Sequence, residues 1–95
     1  MHCLILFKDA PGHDHIRAQN MPAHLAFLAK HADMVHAAGP LFDGDTGAGG
    51  AWLVDVPDTA TAWALVHEDP FWPTGLRADV QVLRWQQVFA DGAVA

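Results

Sequence analysis

The sequence contains little that could cross-link it or hold a polyanion. Cys3 is the only cysteine among 95 residues, so an intrachain disulfide is excluded. Its apolar surroundings predict a buried thiol. Lysine and arginine number 5 against 11 aspartates and glutamates, which gives a formal net charge of −6. So few cations cannot follow a phosphate backbone, and we expect no nucleic-acid partner.

Long apolar runs are also missing. The first apolar stretch, residues 3–7, ends at Lys8, and no basic segment precedes it as in a secretion signal. No later stretch approaches the ~18 apolar residues that a membrane span requires. We therefore expect a cytoplasmic protein that does not enter membranes.

The chain has enough apolar residues for one folded domain. It is 52% hydrophobic and 17% charged, a globular composition. This length supports one two-layer core and no independent second module. We expect a single domain over residues 1–95, with the tail after about residue 89 frayed.

The hydrophobic pattern predicts four strands and two helices in the order βαββαβ. Pro22 is placed in the first turn of the first helix, with Asn20 or Met21 as its cap, and Asp58 caps the second. A glycine-rich segment, Asp43 to Gly50, is predicted to be a mobile turn. The predicted elements are strand 3–7, helix 22–35, strand 35–42, strand 51–56, helix 59–68 and strand 80–85.

This order predicts an α+β, ferredoxin-like fold, in which a four-stranded antiparallel sheet carries two helices on one face. The other face stays uncovered, and Trp52 and Trp85 are expected on it. Because that is a large apolar area to expose, we expect a homodimer that associates through this face, as in dimeric α+β barrels.

Two residues suited to proton transfer stand at predicted helix ends. His24 lies near the start of the first helix, and Asp69, before Pro70, ends the second. A carboxylate is unfavourable at a helix C-terminus, and a nearby histidine would relieve it. We predict that a His24 ring nitrogen lies within hydrogen-bond reach of Asp69, beside a cleft lined by Phe71 or Trp72. The alternatives are a boundary histidine and an ordinary helix-terminating aspartate.

Several other residues are candidates for binding a ligand. Arg17 could hold an anionic or phenolate oxygen, or form a surface ion pair with Asp14. Phe71 and Trp72 could be an aromatic wall for a flat substrate or a dimer contact. Gly39 and Pro40 allow a tight exit from helix to strand and are predicted to border the site. The remaining histidines lack metal-site spacing, and no phosphate loop or dinucleotide fingerprint is present, so no metal or cofactor is predicted.

The order and spacing of several fragments resemble the YCII-related (YciI-like) domain family over nearly the whole chain. These fragments are Pro22-Ala23-His24-Leu25, Ala38-Gly39-Pro40, the turn ending at Gly50, Asp69-Pro70-Phe71 and Gly75-Leu76. The resemblance implies a small dimeric α+β protein with a His/Asp-centred pocket. At least one relative is similar to a lyase that removes halide from a hydroxylated aromatic ring. Met21 and Ala51 stand where relatives often place an arginine and a small hydroxyl residue.

These observations favour a cofactor-independent lyase or isomerase that acts on a small aromatic or enol-type metabolite. In this interpretation His24 takes a proton, while Asp69 fixes its tautomer or itself acts as acid or base. One alternative is a non-catalytic ligand-binding or accessory domain on the same scaffold. Another is a haem- or metal-using oxygenase of the related dimeric α+β barrels. A hydrogen bond between His24 and Asp69 would favour the catalyst over the binding domain.

Overall fold

The computed structural model describes residues 1–95 and has the predicted element order, which confirms the βαββαβ fold. Four antiparallel strands form one sheet in the order β2-β3-β1-β4. The elements are β1 (His2–Asp9), α1 (Asp14–Lys30), β2 (Val35–Asp43), β3 (Thr46–Asp55), α2 (Thr59–Glu68), a 3-10 turn (Trp72–Thr74), β4 (Arg77–Arg84), β5 (Phe89–Ala90) and β6 (Ala93–Val94).

Both helices cover the same face of the sheet. Alternate residues of β1 are buried, and in register with them Ile5 pairs with Trp52 of β3. The helices complete the same core with Phe27 of α1 and Leu65 of α2. Trp52 is only 2% exposed, so its predicted place on the open face was wrong. Alternation within a strand does not say which of its two faces is covered, because pairing register decides that.

The open face of the sheet is apolar. Leu4 of β1 pairs with Leu53 of β3 on one side and with Leu83 of β4 on the other, which places three leucines side by side. Leu83 is 44% exposed. An uncovered apolar face was the premise of the predicted homodimer, and the homodimer itself stays a prediction.

Helix α1 begins at Asp14, well before the predicted start at Pro22. Pro22 therefore lies inside the helix, and His13, not Asn20 or Met21, occupies the N-cap position. The segment before Met21 is mostly polar, so the apolar period on which the prediction relied begins too late. The early start also places Arg17 in the first turn of α1 and not in a preceding loop.

The glycine-rich segment 43–50 is mostly strand, so its prediction as a mobile turn was wrong. Only Gly44 and Asp45 connect β2 to β3, and Gly44 has the positive φ of +59° that a tight hairpin turn needs. Gly49 has a φ of +92°, and a Cβ at this position would overlap the Phe7 carbonyl oxygen. Glycine is used here because β1 and β3 approach closely, as well as for turning.

The second helix and the tail differ in how well they were predicted. Helix α2 has the predicted bounds, and Asp58 caps it by accepting a hydrogen bond from the Thr61 backbone N–H at 2.8 Å. The tail is not frayed, because β5 and β6 pair across a tight turn at Asp91 and Gly92. Both turn residues have positive φ, as Asp-Gly hairpins favour. None of the helices combines the length and apolarity that crossing a membrane would require.

Candidate active site

A cavity of about 100 Å³ lies between α1 and strands β2 and β3. Its lining includes polar groups from α1 and β4, the ring of Trp52, and a backbone segment of β2. Among the lining residues are Arg17, His24, Gly39, Pro40, Trp52 and Arg77. This is smaller than the ~150 Å³ that admits benzene in an apolar protein core, so a ring bound beside His24 would extend out of this cavity.

His24 is held in place on one ring face and at one nitrogen. Its imidazole stacks on Phe71, with 4.3 Å between ring centroids. Its Nδ1 lies 2.8 Å from Asp69 Oδ1, in a buried contact between α1 and the end of α2. An ionised carboxylate only accepts hydrogen bonds, so beside it neutral His24 carries its proton on Nδ1. Nε2 is then the ring's proton acceptor.

Asp69 connects the other polar groups of the site. The residue before a proline avoids helical conformation, and Asp69 accordingly leaves α2 with φ −60° and ψ 131°. Its Oδ1 accepts the Phe71 backbone N–H at 3.2 Å in addition to His24. Its Oδ2 accepts from Arg77 Nη2 at 3.1 Å. With a side chain 2% exposed, this carboxylate has exchanged water for protein donors.

Arg77 is a site residue that the sequence analysis missed. Its side chain is 3% exposed, and its Cζ lies 3.8 Å from the centre of the Phe7 ring. Burial lowers the pKa of its guanidinium, while the charges of Asp69 and Asp9 act in the opposite direction. An arginine stays protonated under such opposing influences. Its Nε is buried without a hydrogen-bond partner.

The second arginine, Arg17, is paired with Asp9 and not with Asp14 as one prediction had it. Asp9 ends β1, where the strand register shifts and brings Asp9 opposite Arg77. The two arginines and two aspartates therefore balance one another. With His24 neutral, the group of five ionisable side chains carries no net charge.

The structure gathers most of the predicted binding residues but separates the two aromatic ones. Gly39, Pro40 and Arg17 border the cavity. Phe71 is fully buried and supports His24 from behind. Trp72 does not border the cavity; its ring lies 4.7 Å from that of His67. The aromatic ring at the cavity is Trp52 instead.

A larger, open groove of about 920 Å³ adjoins the cavity and shares Arg17 and Pro40 with it. It runs between the loop after β1 and the β2–β3 hairpin. It contains no histidine, whereas His24 and Arg77 line the smaller cavity, which is therefore the candidate site. No group of three or more histidine, cysteine, aspartate or glutamate side chains is arranged to hold a metal ion.

The chain is similar to a known domain family and to a solved structure. The family model of the YCII-related domain matches residues 1–86. A solved structure of 5-chloro-2-hydroxyhydroquinone dehydrochlorinase from Burkholderia phenoliruptrix, in complex with 2,5-dihydroxybenzoquinone, is similar with a TM-score of 0.80. The two chains are 30% identical, and the match covers 90% of this chain and 94% of that one. Among curated protein sequences, none matches significantly.

The family model and the solved structure agree with each other and with the topology. The family match spans every strand of the four-stranded sheet and both helices. The structural match covers nearly the whole of both chains, so it is not a local likeness of one motif. The chain therefore belongs to the YCII-related domain family.

Proposed function

We propose that this protein is a cofactor-independent lyase or isomerase for a small, hydroxylated aromatic or enol-type compound. The observation that carries the proposal is the buried 2.8 Å contact between His24 Nδ1 and Asp69 Oδ1 at the edge of a small cavity. A binding domain has no need to orient an imidazole in this way, whereas a general base does. The similar dehydrochlorinase and its bound quinone support the substrate class.

The proposed chemistry is proton transfer by His24. Nε2 takes the proton of a ring hydroxyl, and the O–H bonding pair becomes part of a carbonyl. Return of that proton to the ring carbon that carries the leaving group completes an enol–keto isomerisation and makes that carbon tetrahedral. Removal of a second hydroxyl proton then expels the leaving group with its bonding pair, as a halide ion for example. Asp69 stabilises the imidazolium formed at each proton removal.

The charge balance of the site suits a substrate that binds as a neutral phenol or enol. Both arginines are already paired with aspartates, so no uncompensated cation awaits an anionic ligand. When His24 takes the hydroxyl proton, the imidazolium and the new oxyanion neutralise each other, and the site keeps its balance.

The first prediction tests this function with 5-chloro-2-hydroxyhydroquinone and related halogenated hydroquinones as substrates. We expect quinone absorbance and free halide to appear together with the wild type. His24→Gln should lower the turnover by at least about 100-fold, since it removes the general base. The matched control is His15→Gln, an exposed histidine on the same helix, which should keep the wild-type rate.

Two results would contradict the proposal. Wild-type turnover by His24→Gln would remove the histidine from the mechanism. Calorimetric binding of 2,5-dihydroxybenzoquinone without turnover of any substrate in the set would instead support the non-catalytic ligand-binding domain.

A further inference from the structure

Residue 69 lies between two neighbours that place different demands on it. The Arg77 guanidinium can only donate hydrogen bonds, and it donates to Asp69 Oδ2. The His24 Nδ1 can donate or accept, because a neutral imidazole has two tautomers. Arg77 therefore always needs a hydrogen-bond acceptor at residue 69, whereas His24 can face either an acceptor or a donor.

We propose that Arg77 is a positioning residue that fixes the tautomer of His24 through Asp69. Arg77 occupies Oδ2 and keeps the carboxylate an acceptor, so Oδ1 faces Nδ1 and the proton of neutral His24 stays on Nδ1. The catalytic meaning of this arrangement rests on the proposed function, in which Nε2 is the base. The positioning itself is a property of the folded chain without substrate.

The surroundings of Arg77 hold it rigidly enough for this role. Its side chain is almost completely buried, with Phe7 below it and the Phe71 ring centre 5.2 Å from its Cζ. It stands at the first residue of β4, which pairs with Asp9 of β1. A guanidinium packed against the rings of Phe7 and Phe71 differs from that of a surface arginine, whose flexible side chain does little to orient its partner.

The other charged side chains near Asp69 and Arg77 are paired with each other. Asp9, at the end of β1, is paired with Arg17 of α1. Asp69, at the end of α2, is thus left to Arg77 alone among the cations. The one competing donor is the Phe71 backbone N–H, which favours an oxygen on the His24 side of residue 69. The arginine and the backbone therefore compete as soon as residue 69 has only one acceptor oxygen.

Asp69→Asn creates that competition, because an amide has one accepting and one donating end. If Arg77 directs residue 69, the amide oxygen turns to Arg77 and the NH₂ group faces His24. Nδ1 must then accept, and the His24 proton moves to Nε2. Long-range ¹H–¹⁵N NMR of the His24 ring, assigned with His24→Gln, reads this directly in the neutral form. We expect Nδ1–H in the wild type and Nε2–H in Asp69→Asn.

The double variant Asp69→Asn/Arg77→Met separates the arginine from every other cause. Without a donor on the Oδ2 side, the amide oxygen should turn back to the Phe71 N–H and to Nδ1, and the Nδ1–H tautomer should return. The double variant also buries no lone charge, which favours its folding. Asp69→Asn/Arg84→Met is the matched control, since Arg84 is exposed on the same strand, and it should stay in the Nε2–H form.

The same tautomer in Asp69→Asn and in Asp69→Asn/Arg77→Met would overturn the proposal. Should Asp69→Asn alone fail to fold, Asp69→Asn/Arg77→Lys, which keeps a donor on the Oδ2 side, is compared with Asp69→Asn/Arg77→Met. We then expect Nε2–H in the lysine variant and Nδ1–H in the methionine variant, and the same tautomer in both would overturn the proposal. None of these measurements needs a substrate, so their outcome is independent of whether His24→Gln abolishes turnover.

Discussion

Glycine is required at one residue of β3 and not at another residue two positions earlier. Gly49 has a left-handed φ, and any side chain there would overlap the carbonyl oxygen of Phe7. Gly47 has open space where a Cβ would stand. The difference reaches the candidate active site, because Phe7 lies directly under the Arg77 guanidinium. Gly49 is therefore part of the support of the site, although it borders only the outer groove.

A matched pair of substitutions tests this requirement. We expect Gly49→Ala to lower the free energy of unfolding by about 2 kcal/mol or more, through backbone strain and overlap with β1. Gly47→Ala should change it by less than about 1 kcal/mol, in the stabilising direction, because alanine restricts the unfolded chain. Urea unfolding of both variants beside the wild type measures the difference. Equal losses would show that the close approach of the two strands is not what selects glycine.

At the scale of the element, α2 connects a capped start to an end that is followed by the carboxylate of the candidate site. Hydrogen bonds from the Thr61 hydroxyl and backbone N–H lower the pKa of Asp58 below its ordinary value of 3.8. The capping carboxylate thus favours the folded state when ionised. Since the last residue of the same helix is followed by Asp69, the cap also contributes to where the carboxylate of the site stands.

The cap predicts a pH dependence with a definite sign. A carboxyl group whose pKa is lowered by folding adds stability above its unfolded pKa, and this is lost as pH falls through the folded pKa. At pH 7 we expect Asp58→Ala to lower Tm by a few degrees. The gap between wild type and Asp58→Ala should narrow below pH 3.8. Asp58→Asn, which caps without titrating, should lose less at pH 7, and a gap independent of pH would contradict this account.

Elements were predictable from sequence where one signal dominated. Helix α2 was predicted with its observed bounds because Asp58 caps it and Pro70 follows its end. The start of helix α1 was predicted too late because the apolar period begins only at Met21, and because Pro22 resembled a proline in the first turn of a helix. The start of β3 was missed because glycine, read locally, indicates a turn. Its use for close strand approach depends on β1, which is distant in sequence.

The same distinction applies to the candidate active site. His24 and Asp69 could be proposed from local motifs and helix ends, and the contact expected between them is present. Arg77 could not, since an arginine shortly after Gly75 has no local feature that separates it from a surface residue. Its role follows from strand pairing, which places it opposite Asp9 and over Phe7. The scarcity of cations in this acidic chain was the one available signal.

The whole molecule has two unlike sides. One side of the sheet is covered by the helices and contains the cavity, and the other presents the adjacent side chains of Leu4, Leu53 and Leu83. An apolar sheet face of this kind is usually covered by another surface. A second copy of the chain is the occupant that we predict, since symmetric pairing can cover the same face on both molecules.

Light scattering on the purified protein tests the assembly. We expect a mass of about twice 10.3 kDa at micromolar concentration for the wild type. Leu53→Lys places a charge in the middle of the open face and should produce a folded monomer. The control, Ala64→Lys, adds the same charge to an exposed position of α2 and should leave the mass unchanged. A wild-type monomer would contradict the prediction.

The ion pair of Asp69 with Arg77 spans 8 residues of chain, whereas the hydrogen bond of Asp69 with His24 spans 45. The loop-closure entropy given up for the longer span is greater by about 1.5 kcal/mol for a flexible chain. The carboxylate and guanidinium thus belong to a segment of low contact order, while the imidazole arrives from a distant part of the chain. We therefore expect the acceptor that orients the histidine to be assembled, on average, before the histidine reaches it.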